Sequence, residues 1–283
     1  MGKHILDILE FFNPWDNCDF SEKKRGLKQT LLIALKKLYF WGQKTILIRY
    51  YPVKKIIKKK LNKANLLEVG SGSLGLSRCL KKKIVGVDLK TTGPRYGNMS
   101  LVKADAAALP FRDNSFDFVV SVDMLEHIPE RSRQKVVGEL LRVCKKKAFI
   151  GVPCGELARK WEEKAGKVYN SALKKLENQK NRKNKFAERN IFLSEHSRYG
   201  LPEESRMKEY INAFINDADG KFSLNIIDNE STWVWYYGLL GDMKYNYLRW
   251  AVTTIFFIAF FEILCRVKWG GCYRKIFVIE RLI

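Results

Sequence analysis

Five short β-branched runs recur between residues 65 and 153: "NLLEV", "IVGVD", "SLVKA", "FDFVVS" and "KAFIGV". Helix-compatible stretches separate them. Strands that alternate with helical segments build a parallel sheet with crossover helices on its faces. In an open sheet of that kind, ligands bind at the carboxyl edge of the strands. Residues that directly follow each run are therefore the first candidates for a site.

The first run leads into "NLLEVGSGSLGLSRCL", residues 65–80. Leu66, Leu67 and Val69 surround Glu68, and the turn Gly70-Ser71-Gly72 follows, with Gly75 three residues on. Glycines permit positive φ and let a ligand approach the backbone closely. A helix beginning near Leu74 is expected to direct free N–H groups into the same space. "IVGVD" ends in Asp88, followed by Leu89; an acid at that place can accept both hydroxyls of a ribose. In "VKADAAALPF", Asp105 and Ala106 lie beside small residues that leave room for a flat ring. "DNSFDFVVSVDMLEHIP" brings Ser121 through His127 to the carboxyl edge. Each feature alone also fits an ordinary β–α turn or a capping acid.

Together these segments resemble the class I S-adenosylmethionine-dependent methyltransferases, particularly the broad UbiE-like, type 11 group. "LLEVGSGSLGLS" is similar to that family's first motif, "VGVDLK" to the acidic end of its second strand, and "KADAAALPFRDNSFDFVVSVDMLEHIP" to its third and fourth motifs. "LLRVCKKKAFIGVP" matches its following helix and strand. The resemblance implies a Rossmann-like, doubly wound α/β sheet of seven strands, the last one antiparallel and supplied by "YRKIFVIERLI". It implies S-adenosylmethionine as cofactor. Gly70, Ser71 and Gly72 would pass close to the methionine moiety, with Glu68 helping to hold its ammonium. Asp88 and Leu89 would serve the ribose, Asp105 and Ala106 the adenine, and the Ser121 carbonyl the amino-acid end.

Methyl transfer from a sulfonium is an in-line displacement, so positioning dominates. A base is required only where the acceptor must lose a proton. His127, after the fourth strand, and His196, in "SEHSRYGLP", are the candidates, each with a structural role as its alternative. Two histidines near the expected site favour O-methylation. No Asp/Asn-Pro-Pro-aromatic tetrad follows the fourth strand, which argues against methylation of amino groups on nucleic-acid bases. Cys154 in "VPCG" reads as a small buried residue. The six cysteines form no C-x-x-C pair and no zinc-site spacing occurs, so no metal is expected.

The chain reads as four segments: a basic helical extension over 1–63, the cofactor-binding core over 64–154, a charged helical insert over 155–220, and final strands with an apolar insertion over 221–283. Formal net charge is +22, and Ser21–Lys63 holds 14 Lys/Arg against Glu22 alone. Pro52 is expected to interrupt the helical pattern there. Such a surface suits an anionic membrane face or nucleic acid. Free thiols suit a reducing cytoplasm, and "MGKHILDILEFF" makes a poor signal peptide. Trp250–Phe261 is twelve residues without a charge, short of the roughly 20 a spanning helix needs. A helical hairpin entering one leaflet would keep the last strand with its sheet. The expected protein is therefore cytoplasmic, peripheral or monotopic on a membrane, with an amphipathic acceptor such as a lipid-linked saccharide, a polyprenyl compound or a quinone. An RNA methyltransferase and a non-catalytic binding module remain the alternatives.

Overall fold

The computed structural model describes residues 44–60, 64–72, 75–80, 82–91, 98–175, 193–218, 221–243 and 247–282. The basic stretch before residue 44 lies outside them, as does most of the charged run that follows Lys175. Seven strands form one sheet: β1 Leu66–Val69, β2 Ile84–Asp88, β3 Met99–Lys103, β4 Phe116–Val122, β5 Cys144–Pro153, β6 Lys221–Ser231 and β7 Cys272–Leu282. Their order is β3-β2-β1-β4-β5-β7-β6. β7 inserts antiparallel to both β5 and β6, and the pairs from β3 across to β5 are parallel. All five expected core runs are strands, and the last strand is the antiparallel one. The strand order reverses at β1 and β4, which is where a doubly wound sheet opens a crevice for ligand.

Helices cover both faces because the buried strands are apolar on both. On one face lie α2 Glu130–Arg142 and α4 Glu204–Asp217. α2 buries Val136, Val137, Leu140 and Leu141, one stripe at helical spacing, and α4 adds Met207 and Ile211 to the same core. Part of the segment read as a charged insert is thus a layer of the main fold. On the other face α1, Lys44–Ile57, buries Tyr50, Val53 and Ile57 against Leu66, Phe118 and Val278. Pro52 does not interrupt this helix but lies within it. Its ring forfeits one backbone hydrogen bond, and burial of its neighbours Tyr50 and Val53 holds the turn together.

A second departure follows β1. Instead of a helix from Leu74, the described residues show a four-residue 3-10 turn, Gly75–Arg78. The buried Glu68 carboxylate captures the Leu76 N–H at 2.6 Å, and Lys82 and Lys83 end the apolar stretch soon after. The remaining helices are α3 Gly155–Lys175, α5 Thr232–Met243 and α6 Tyr247–Arg266, with a further helical turn at 193–199. α5 and α6 lie between β6 and β7 in sequence, where the hairpin was expected. Phe257 and Phe261 of α6 pack on Ile48 of α1. Among the described residues no helix is long and apolar enough to cross a membrane.

Candidate active site

A cavity of about 780 Å³ opens at the carboxyl ends of β1, β2 and β4, within the roughly 300–1,000 Å³ of small-molecule sites. Gly70 (φ +76°) and Gly72 (φ +55°) form its glycine wall. The Val87 carbonyl accepts from the N–H groups of Gly70 and Ser71 at 2.8 and 3.2 Å, fastening the turn to β2. A side chain on Gly70 would stand 2.3 Å from the Met124 side chain, so glycine is required there by packing. At Gly72 a Cβ would meet no protein atom within 4 Å; that face is kept open. The Asp88 carboxylate accepts from the Gly72 and Lys90 N–H groups at 2.8 and 2.9 Å. Each of its oxygens keeps a lone pair for a further donor. Asp105 likewise accepts from the Ala107 N–H at 2.8 Å, and Ala104, Ala106 and Ala107 line the wall beside it.

Residues 67–152 match the family model described as a methyltransferase domain. That stretch of the chain, from β1 through β5, is thus similar to a methyltransferase domain. The chain is 25% identical over 200 residues to the sterol 24-C-methyltransferase of Schizosaccharomyces pombe (strain 972 / ATCC 24843), a match over 68% of this chain and 44% of that protein. The chain thus spans less than half the length of that relative. Among solved structures it is similar to phosphoethanolamine N-methyltransferase 2 of Haemonchus contortus in complex with S-adenosyl-L-methionine. There the TM-score is 0.45 and the identity 15%, over 85% of this chain and 57% of that one. It is also similar to magnesium protoporphyrin IX methyltransferase from Synechocystis PCC 6803 with bound SAH, at TM-score 0.46 and 14% identity over the whole of both chains.

The cavity fits S-adenosylmethionine: it has an open glycine face, two acids with spare lone pairs, and an alanine-lined slot. Bound here, that cofactor supplies an electrophilic methyl group. Gly70, Ser71, Gly72, Asp88, Leu89, Asp105 and Ala106 all stand on the wall. Two residues read as cofactor contacts do not. Glu68 is 1% exposed behind the glycine turn, accepting from the Tyr50 hydroxyl at 2.7 Å as well as from Leu76. It braces the turn, and a Cβ on Gly75 would strike it. Ser121 is buried within β4, and its successors Val122, Asp123 and Met124 form the wall instead.

Past β4 the chain concentrates its ionisable groups. His127 and Glu195 line the cavity and His196 stands behind them, buried. His127 Nδ1 lies 2.8 Å from Glu195 Oε2, and His196 Nδ1 lies 2.8 Å from Glu162 Oε1. The two Nε2 atoms face each other at 3.3 Å. Burial and the neighbouring His196 hold the His127 imidazole below its ordinary value. Burial pulls His196 down too, but the Glu162 hydrogen bond and charge outweigh it and leave that ring raised. Arg133 locks these pieces together. It is 3% exposed and donates to the carbonyls of Leu125, Ile128, Tyr199 and Gly200. The segment "SEHSRYGLP" therefore does fold over the sheet edge, and Arg133 is why.

Several members of the site went unread in the sequence. Asp123 (φ +53°) carries a carboxylate clamped by Arg274 at 2.5 and 2.6 Å and paired with Arg49 at 2.9 Å. Burial raises that acid, and the two guanidinium groups more than reverse it. Arg274 also donates to Glu230 at 2.5 Å and is fully buried. Its visible trace was a basic pair, Arg274-Lys275, inside an otherwise alternating strand. Arg49 and Tyr50 come from the basic extension, where nothing distinguished them from other surface residues.

Proposed function

We propose that this methyltransferase transfers the methyl group to a hydroxyl oxygen of an amphipathic, lipid-linked acceptor presented at an anionic membrane surface. The observation that carries this reading is an exposed aromatic and aliphatic set on α5, α6 and the turn before β7. Trp233, Tyr237, Phe256, Phe260, Ile263 and Trp269 are between 42% and 79% exposed. Phe256, Phe260 and Ile263 share one face of α6 by their spacing. Exposed Arg266 and Lys268 adjoin them, the mixture that suits an interface with anionic lipid. The name of the fission-yeast relative, a sterol methyltransferase, agrees with an amphipathic acceptor.

The reading of oxygen as acceptor rests on His127, the imidazole on the cavity wall, oriented through Nδ1 by Glu195. In the reaction the acceptor O–H loses its proton, the O–CH3 bond forms and the S–CH3 bond breaks, leaving a neutral thioether. His127→Ala is expected to lower turnover by about 10²–10⁴-fold with cofactor affinity near that of the wild type. Flotation with anionic vesicles tests the surface. Salt should release part of the protein, whereas Phe256→Asp with Phe260→Asp and salt together should release nearly all. Full release by salt alone, with gel-shift binding of RNA, would replace this reading by an RNA methyltransferase. Mass spectrometry of lipid extracts from cells with active and Asp88→Ala protein identifies the product as a mass increment of one methylene.

A further inference from the structure

Glu126 is fully buried beside the two histidines, and neither of its carboxylate oxygens meets a hydrogen-bond partner. The other acids in this region each have a partner on at least one oxygen. Asp123 is held by Arg274 and Arg49, Glu230 by Arg274, and Glu162 by His196 and the Tyr273 hydroxyl at 2.5 Å. Of these acids, Glu126 is the one whose two oxygens both lack a hydrogen-bond partner from another residue. The histidines pose the complementary problem. Each Nδ1 faces a carboxylate, which takes its N–H, so each neutral ring turns a lone pair on Nε2 toward the other ring. Two neutral rings so oriented would repel across 3.3 Å, and either a proton on one Nε2 or a cation held by both satisfies the pair.

We propose that Glu126, His127 and His196 bind a divalent metal ion of the zinc class through one carboxylate oxygen and the two Nε2 atoms. The candidate ligand atoms all lie within 4.8 Å of one another. Zinc–nitrogen bonds of about 2.0–2.1 Å in tetrahedral geometry place two nitrogens about 3.3–3.4 Å apart, and the Nε2 atoms are 3.3 Å apart here. The supporting carboxylates are in place as well. Glu195 and Glu162 each take the Nδ1 proton, fixing the tautomer that frees Nε2 for the metal and raising its basicity. Two imidazoles with one carboxylate suit zinc, cobalt(II), manganese(II) or iron(II), not the all-oxygen preference of calcium or magnesium.

Three protein ligands leave a fourth position open, as in catalytic zinc sites. His127 lies on the wall of the cofactor cavity, so the open position serves an acceptor oxygen. With a metal bound, His127 changes from base to ligand: the metal makes the bound hydroxyl more acidic, its proton passes to solvent, the O–CH3 bond forms and the S–CH3 bond breaks, leaving the thioether. The role rests on the methyl-transfer reading, while the existence of the metal site does not. Sequence spacing gave no sign of it because His127 and His196 are 69 residues apart and meet only through the folded sheet edge.

The test uses the full chain, stripped with a chelator and dialysed against Zn²⁺ alone and Co²⁺ alone, without cofactor or acceptor. The expected result is one equivalent of either metal, with visible d–d absorption for cobalt and no thiolate-to-cobalt charge-transfer band. Glu162→Gln should weaken metal affinity about 10–100-fold. Glu126→Gln should abolish the rise in melting temperature that zinc gives the wild type, while melting no lower than metal-free wild type, since it removes an unpaired buried acid. No uptake by the wild-type chain would overturn the site and assign the histidine pair a shared proton instead. A thiolate band, or uptake indifferent to both substitutions, would overturn it equally. Titration of the same samples with S-adenosylmethionine reads the cofactor site separately, so failure of one reading is not mistaken for failure of the other.

Discussion

Replacing Arg274 by Met asks what one buried cation contributes. The guanidinium is fully buried and makes three charge-assisted hydrogen bonds, two to Asp123 at 2.5 and 2.6 Å and one to Glu230 at 2.5 Å. Taken independently at about 1.5–3 kcal/mol each, three such bonds would give about 4.5–9 kcal/mol. That is an upper bound, because desolvating the three charges has already cost much of the gain. Removing one member of a buried charged group typically costs about 3–5 kcal/mol, since the partners stay buried and uncompensated. Asp123 keeps Arg49, whereas Glu230 is left alone, so the cost should fall chiefly on Glu230. With a urea slope near 3 kcal/mol/M, the unfolding midpoint should drop by about 1–1.7 M. Adding Glu230→Gln to Arg274→Met should recover part of that loss, because the neutral amide needs no counter-charge. Arg274→Lys should fall between, as an ammonium cannot bridge both acids in the plane of a fork. A midpoint for Arg274→Met within experimental error of wild type, at unchanged slope, would refute this account of the network.

The two cavity glycines should separate folding from binding. Gly70→Ala sets a methyl into Met124 and should lower stability by about 1–3 kcal/mol in a chemical melt. Gly72→Ala meets no protein atom; it should cost only the left-handed backbone strain of about 1–2 kcal/mol and yet weaken cofactor binding measured by calorimetry. Asp88→Ala should weaken cofactor affinity by roughly 1.5–3 kcal/mol, the worth of hydrogen bonds to a charged group, without matching loss of stability. Acid should act through Glu139, whose carboxyl is held below its ordinary value by Arg142, against burial, with help from the Leu109 N–H. A depressed folded value means stability that is present above the unfolded value of about 4.3 and lost as pH falls through the folded one. Melts of Glu139→Gln from pH 6 down to about 3 should therefore show a shallower decline than wild type.

The strands were legible because each is a short apolar run bounded by polar or glycine residues, and the order of runs matched a known pattern. The cavity wall was legible for the same reason. Its members follow their strands within two or three residues, so local sequence and spatial position coincide. What escaped the sequence was whatever the fold brings from afar. Glu68 looked like a ligand contact because it sits between an apolar strand and the glycines; only packing of α1 reveals Tyr50 lying over it. Pro52 looked like a break because helix propensity is local, while Ile48 and Val53 bury α1 against distant elements. Ser121 was read as turning its carbonyl to the amino-acid end of the cofactor, yet β4 continues one residue further and turns at Asp123.

The loop after β4 gathers groups from three remote parts of the chain. α1 delivers Arg49, the turn at 193–199 delivers Glu195 and His196, and β7 delivers Tyr273 and Arg274. Burying that many charges at one sheet edge is costly, and a fold seeking stability alone would replace them with apolar residues of similar size. Here they are retained and cross-linked at one end of the cavity. The imbalance of charge sharpens the point. With 52 basic residues against 30 acidic ones, the chain has cations to spare for any acid it buries, and it supplies them to Asp123 and Glu230. Leaving both oxygens of the buried Glu126 without a hydrogen-bond partner, beside His127 and His196, is therefore a property of the site and not of the composition.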